Sequence, residues 1–217
     1  MDEAQPPPKD EGKVGVLAPI ASKVLMKILY AARMCRFDLL RATCALASMV
    51  TKWDQECDRR LHRLVSYINS SLALRMWAWI ADNPADLTVR LFSDADFAGD
   101  NKTSRSTSGV FLQLAGPSSA FPLAGQSKKK SCVSHSTPEA EIVAADLAVR
   151  TEGLPALQLW ELVLDRKVEL DFQEDNAAAI TIMKAGRSPA LRHLARTHRV
   201  NLAWLKEIVD SGQMKLT

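Results

Sequence analysis

The chain has 217 residues, of which 47% are apolar and 24% charged, a balance that excludes wholesale disorder and collagen-like or coiled-coil architectures. No run approaches the roughly 18 uncharged apolar residues of a membrane span, and the acidic, proline-rich start MDEAQPPPKDEGK is unlike a signal peptide. Net charge is +3, and the four cysteines (Cys35, Cys44, Cys57, Cys132) form no C-x-x-C pair, which fits a reducing compartment better than a disulfide framework or a zinc site.

Residues 1–16 are expected to be a disordered tail, with Pro6, Pro7 and Pro8 favouring polyproline II. Residues 17–85 read as a helical region ending in a strand. A first helix is predicted from about Pro19 to Arg33, with Ile20, Val24, Ile28 and Leu29 at helical spacing, and a second from about Phe37 to Thr51. A third begins near Trp53: Cys57, Leu61, Leu64, Val65 and Ile68 form its apolar stripe, Arg59, Arg60 and Arg63 lie off it, and Asn69-Ser70-Ser71 ends it. Leu72 to Ile80 reads as a strand before the turn at Asp82-Asn83-Pro84. A helical packing unit without chemistry accounts for this region.

Residues 86–217 change period and form a second domain. Leu87, Val89 and Leu91 share one face of a strand that ends at Ser93-Asp94. Val110–Leu114 and Ala120–Gln126 follow after short polar loops, as an antiparallel meander. Thr137 suits a helix N-cap with Pro138 at the first helical position, and the helix is interrupted near Gly153 and Pro155 before continuing to about Leu164. Val168, Leu170 and Phe172 alternate with polar residues as a strand, and Asp175 stands just past its end. A short helix over Asn176 to Lys184, a final helix over about Leu194 to Asp210 and a strand from Gln213 complete an α/β sandwich.

This domain carries 16 basic and 16 acidic residues, in separate groups. Asp94, Glu141 and Asp175 can converge at one edge of the sheet, where three carboxylates repel unless a cation neutralises them. Such a set suits Mg²⁺ or Mn²⁺ and phosphodiester hydrolysis between two ions about 3.5–4 Å apart. Helix-dipole and turn-capping roles account for the same three residues equally. Lys128, Lys129 and Lys130 form one basic run; Arg192, Arg196 and Arg199 lie at four- and three-residue steps on one helix side, with His193 and His198 among them. These can hold a phosphate backbone or simply face water. His135 reads as a loop histidine.

Five strings occur in a fixed order: Asp94-Ala95-Asp96-Phe97-Ala98-Gly99-Asp100 with Arg105-Ser106-Thr107-Ser108-Gly109; Ser127-Lys128-Lys129-Lys130; Ser136-Thr137-Pro138-Glu139-Ala140-Glu141; Asp175-Asn176-Ala177-Ala178-Ala179-Ile180; and Arg196-Thr197-His198-Arg199-Val200-Asn201. Together they resemble the ribonuclease H segment of copia-type retrotransposon Pol polyproteins, with D-A-D-W-A-G-D, S-x-K-Q-K, S-S-T-E-A-E, D-N-Q-S-A-I and R-T-K-H-I-D. Tyr30 to Asp38 resembles the Y-L-A-R-x-T-R-P-D of the preceding linker to the reverse transcriptase, with Phe37 where proline is usual.

The resemblance implies a ribonuclease H-like fold: a mixed five-stranded sheet, three antiparallel strands first, with helices on both faces. It implies two-metal hydrolysis of the RNA strand of RNA–DNA hybrids, with Asp94, Glu141 and Asp175 as ligands of Mg²⁺ or Mn²⁺. Lys128, Lys129, Lys130, Arg192, Arg196 and Arg199 are the expected nucleic-acid contacts. The polymerase portion of the same polyprotein is a possible partner, and no membrane is involved. The place of action implied is intracellular: cytoplasmic, in a virus-like particle, or nuclear. The family continues into a helix with an A-D-x-x-T-K motif that supplies a fourth acid, and this chain stops before it, as a C-terminally truncated fragment does. A catalytically inactive, nucleic-acid-binding remnant of a decayed element is the alternative.

Overall fold

In the computed structural model, residues 13–100 and 103–217 are described. The expected disordered tail therefore lies largely outside the described residues. Of its end, Val14 bridges to Asp54 and the Gly15 N–H donates to the Trp53 carbonyl. The chain divides into two compact units, Met1–Met76 and Trp77–Thr217. Among the described residues no helix is long and apolar enough to cross a membrane.

The first unit holds three helices, α1 (Ala18–Met34), α2 (Leu40–Ala47) and α3 (Gln55–Ser70). On α3 the predicted stripe buries Cys57, Leu61 and Leu64 but leaves Val65 exposed. On α1 the buried residues are Ala21, Leu25 and Ala32 rather than the expected Ile20, Val24, Ile28 and Leu29, of which Ile20 is exposed. Helix α2 buries Leu40 and Leu46. Asp54 caps α3 by accepting the Cys57 N–H. The Asp58 carboxylate accepts the Val16 and Leu17 N–H groups and the Trp53 indole N–H, which ties the start of the chain to α3.

The segment Leu72–Ile80, expected as a strand, forms no ladder. Its only pairing is the single bridge between Trp79 and Ala120. Its apolar residues Leu72, Leu74, Trp77, Trp79 and Ile80 are exposed, so no face is buried to select one register.

The second unit is built on β1 (Thr88–Asp96), β2 (Thr107–Gly116), β3 (Ser119–Lys129), β4 (Leu170–Gln173) and β5 (Met214–Leu216). They form one sheet in the order β3-β2-β1-β4-β5, antiparallel from β1 to β3 and parallel from β1 through β4 to β5. Alternation puts Leu87, Val89 and Leu91 on one face, in register with Leu170 and Phe172 of β4. The helices of this unit are α4 (Thr137–Ala148), α5 (Leu154–Leu164), α6 (Ala177–Ala185), α7 (Leu194–Thr197) and α8 (Leu202–Asp210).

Buried apolar residues of α4 to α8 pack in the cluster that holds Val89 and Leu91, and Ala140 and Ala144 of α4 pack separately on Ala95 of β1. The alternate residues carry Arg90, paired with Asp171 at 2.6 Å, and Phe92 against Phe111. A π-helical turn (Val149–Gly153) joins α4 to α5. A Cβ at Gly153 would stand 2.8 Å from the Leu170 side chain and 3.0 Å from that of Leu91, so glycine lets this turn lie directly on the sheet.

Two boundaries differ from expectation. The cap of α4 is Ser136, whose hydroxyl accepts the Glu139 N–H, so Thr137 is the first helical residue and Pro138 the second. The helix expected over 194–210 is two, because Asn201 caps α8 by accepting the Ala203 and Trp204 N–H groups, and Arg199 takes a left-handed φ of 58° in the break.

Candidate active site

Asp94 and Asp175 come from adjacent parallel strands. Their pairing ends at Phe92 opposite Gln173. One residue further, the Ser93 hydroxyl donates to Glu174 Oε2 at 3.2 Å. One beyond that stand Asp94 and Asp175, both exposed. Asn176 caps α6 by accepting the Ala179 N–H, which stops β4 at this point. The third acid, Glu141, is the fifth residue of α4, which packs on β1 through Ala95, Ala140 and Ala144. These small residues let the helix approach the strand closely.

The three acids and Glu174 act on one another. Burial, then the charges of Glu174, Asp94 and Asp175, push the Glu141 carboxyl up to about 7, against the Lys130 ammonium that pulls it down. Glu141 is 4% exposed, and its Oε2 is buried with no hydrogen-bond partner. Burial also raises Glu174, with Asp175 and Asp94 adding to the rise, although it accepts from the Asn176 N–H and the Ser93 hydroxyl.

The donor set is all carboxylate, and an orphaned carboxylate oxygen beside three like charges is what a hard divalent cation relieves, so the residues fit Mg²⁺ or Mn²⁺. Among the described residues, no group of three or more His, Cys, Asp or Glu side chains is placed to hold a metal ion as it stands.

The basic residues divide. Lys128 and Lys129 are exposed and line an open pocket of about 620 Å³ together with Arg105 and Arg150; Lys129 also pairs with Asp100, and Arg150 with Asp146. Lys130 turns inward. It is 7% exposed, its ammonium donates to the Ala140 carbonyl, and burial lowers it to about 8. It faces Glu139 and Glu141 as a counter-ion and also lines the same pocket as Lys128 and Lys129. Arg192, Arg196 and Arg199 are exposed. They do not share one helix side as expected, since α7 ends at Thr197 and Arg199 lies in the break.

Residue spacing passed over a second group. Glu139 is fully buried; its Oε2 accepts the His135 N–H at 2.9 Å, and its Oε1 meets His193 Nε2 at 3.1 Å and His198 Nε2 at 3.0 Å. Burial pushes this carboxyl up, but the His135 N–H and the two imidazoles outweigh it and hold it below the ordinary value. Burial lowers His198, against the Glu139 charge. The Ser136-x-x-Glu139 spacing is a capping-box signal that marks Glu139 in the sequence. Continuing the alternation of Val168, Leu170 and Phe172 to Glu174 marks that residue as buried.

No family model matches the chain. It is 31% identical over 134 residues to the retrovirus-related Pol polyprotein from transposon TNT 1-94 of Nicotiana tabacum, a match that covers 61% of this chain and 9% of the relative. The chain thus spans about a tenth of that relative's length. Among solved structures, a foamy viral protease-reverse transcriptase in complex with an RNA/DNA hybrid matches with a TM-score of 0.50 at 15% identity, over 90% of this chain and 24% of the other. A ribonuclease H1 isolated from compost matches with a TM-score of 0.38 at 12% identity, over 60% of this chain and 82% of its own. With the strand order 3-2-1-4-5 and these likenesses together, the chain has the ribonuclease H-like fold and is similar over 134 residues to a plant retrotransposon Pol polyprotein.

Proposed function

We propose that the second unit is a metal-dependent ribonuclease H that cleaves the RNA strand of RNA–DNA hybrids endonucleolytically during reverse transcription. The observation that carries this reading is the buried, unpartnered Glu141 Oε2 at the meeting of Asp94, Asp175 and Glu174. Asp94, Glu141 and Asp175 are the residues to hold Mg²⁺ or Mn²⁺, which supplies water activation and stabilisation of the leaving 3′ oxygen. Glu174 stays behind them, fixed by Ser93 and the Asn176 N–H. Lys128 and Lys129, with Arg192, Arg196 and Arg199, are proposed to contact backbone phosphates, and a 2′-hydroxyl contact to select the RNA strand. The polymerase portion of the same polyprotein is the proposed partner.

The open ligand set favours a second reading, binding of hybrid without turnover. Incubation of a labelled RNA–DNA hybrid with Mg²⁺ or Mn²⁺ separates the two. Metal-dependent cleavage that Asp94→Asn abolishes supports the nuclease. Salt-sensitive binding without cleavage, by a protein with a cooperative melting transition, supports the second reading.

A further inference from the structure

The two acids of the S-T-P-E-A-E string lie two residues apart on α4, which at 3.6 residues per turn sets them about 200° apart on the helix. Glu141 faces the strand ends, and Glu139 is bound on the opposite side. Its carboxylate holds the first turn of α4 to residues 54 and 59 positions later, through His193 and His198. The His198 side chain is 2% exposed and that of His193 37%. A local bond from the His135 N–H takes the remaining carboxylate oxygen. The break between α7 and α8, with its left-handed Arg199, is what turns the chain next to His198. Lys130 closes the arrangement from below through the Ala140 carbonyl.

Three donors satisfy Glu139 without a cation. We infer that Glu139, His193 and His198 are positioning residues: they clamp the first turn of α4 and thereby hold the Glu141 carboxylate at the ends of β1 and β4. The inference rests on the proposed cation site. In that role the clamp acts as the outer partners of a metal ligand do, where loss of a partner weakens metal binding about 10-fold or more.

The test uses the full chain as wild type, Asp94→Asn, Glu139→Gln, His193→Ala, His198→Ala and His198→Gln, whose side-chain amide can still donate to Glu139. Two quantities are measured: hydrogen exchange at the Ala140–Val143 amides without metal, and Mn²⁺ affinity by electron paramagnetic resonance. The expected result for Glu139→Gln and His198→Ala is exchange faster by about 10-fold and Mn²⁺ affinity lower by about 10-fold, with cooperative melting retained. His198→Gln restores both, and His193→Ala, at a half-exposed site, shows a smaller loss of each.

Faster exchange with unchanged Mn²⁺ affinity overturns the positioning role, as does unchanged exchange. Zinc retained stoichiometrically through dialysis and lost in His198→Ala also overturns it, because the cluster would then be a metal site itself. Wild type that binds no Mn²⁺ sensitive to Asp94→Asn removes the proposed cation site and the positioning role with it. Binding lost in Asp94→Asn but intact in His198→Ala removes the positioning role alone.

Discussion

The two sides of the N-terminal end of α4 carry the same functional group to opposite ends. Glu139 is fully buried and Glu141 nearly so, yet Glu139 is held below the ordinary carboxyl value and Glu141 is pushed up to about 7. Desolvation acts the same way on both. The partners differ: three donors surround Glu139, whereas Glu141 faces three carboxylates and leaves one oxygen unpaired. Burial alone therefore says little about a carboxylate's role, and what its oxygens meet decides it. A satisfied carboxylate is part of the framework. An unsatisfied one beside like charges is a place for a cation.

The largest expected effect separates the two acids by activity. Glu141→Gln removes a proposed metal ligand and lowers the cleavage rate by about a thousandfold, the equivalent of about 4 kcal/mol in the barrier. Glu139→Gln, assayed at saturating Mn²⁺, falls by about tenfold or less. Equal losses in single-turnover assays at saturating metal would erase the distinction between the two sides.

Stability against pH is the next way to break it, and the signs are opposite. Glu141 rises from 4.5 to about 7 on folding, so the folded chain binds the extra proton between those values. Stability of the metal-free protein then falls as pH rises from about 4.5 to about 7, by up to about 3 kcal/mol. Glu141→Gln removes that slope, and Mn²⁺ flattens it in the wild type. Glu139, whose value is lowered, contributes stability above about 4.5 that is lost as pH falls further. Glu139→Gln costs about 2 kcal/mol at pH 7 and blunts the acid limb instead. Denaturant melts at half-unit pH steps resolve both.

Lys130→Met sharpens the comparison from between the two acids. The Lys130 charge lowers Glu141, and burial brings Lys130 itself down to about 8, so the side chain loses its charge above that pH and keeps it at pH 7. The variant shifts the Glu141-dependent part of the stability profile to higher pH. It lowers stability at pH 7, since removing the ammonium leaves the buried Glu139 and Glu141 carboxylates without their counter-ion. Its affinity for hybrid stays close to that of the wild type, because the Lys130 side chain is nearly buried and its ammonium is held by the Ala140 carbonyl. A loss of affinity matching that of Lys128→Ala or Lys129→Ala would return Lys130 to the phosphate-binding surface.

Much of this arrangement can be read from residues alone, and its limits have physical causes. Period-two burial at Leu87, Val89 and Leu91 fixes β1, and the order of five strings points to the fold and to Asp94, Glu141 and Asp175. The strand order follows once β4 lies beside β1. Spacing could not show that Lys130 differs from Lys128 and Lys129, because which of three consecutive lysines turns inward depends on the close approach of α4. It could not place His193 and His198 on Glu139, since contacts 54 and 59 residues apart are set by tertiary packing. The continuous helix over 194–210 failed for a local reason, the Asn201 side chain capping α8, and a capping residue in mid-pattern is a readable signal. The strand over Leu72–Ile80 failed because apolar residues with β-propensity also need a neighbour with which to pair.

The smallest expected effect isolates the turn that aims His198 from the charge beside it. Arg199 holds a left-handed φ of 58°, a conformation that costs an L residue about 1 kcal/mol and glycine almost nothing. Arg199→Gly therefore keeps the turn, leaves His198 on Glu139 and raises stability by a few tenths of a kcal/mol, the relief of strain being partly offset by the freer unfolded chain. If Arg199 meets a phosphate, the same variant lowers the slope of log affinity against log salt by about 1. Unchanged Mn²⁺ affinity with a shallower salt dependence assigns the backbone of this turn to the clamp and its side chain to nucleic acid. A drop in Mn²⁺ affinity instead means that the Arg199 side chain itself supports the N-terminal end of α4, and the two sides of that end are then less separate than their hydrogen bonds indicate.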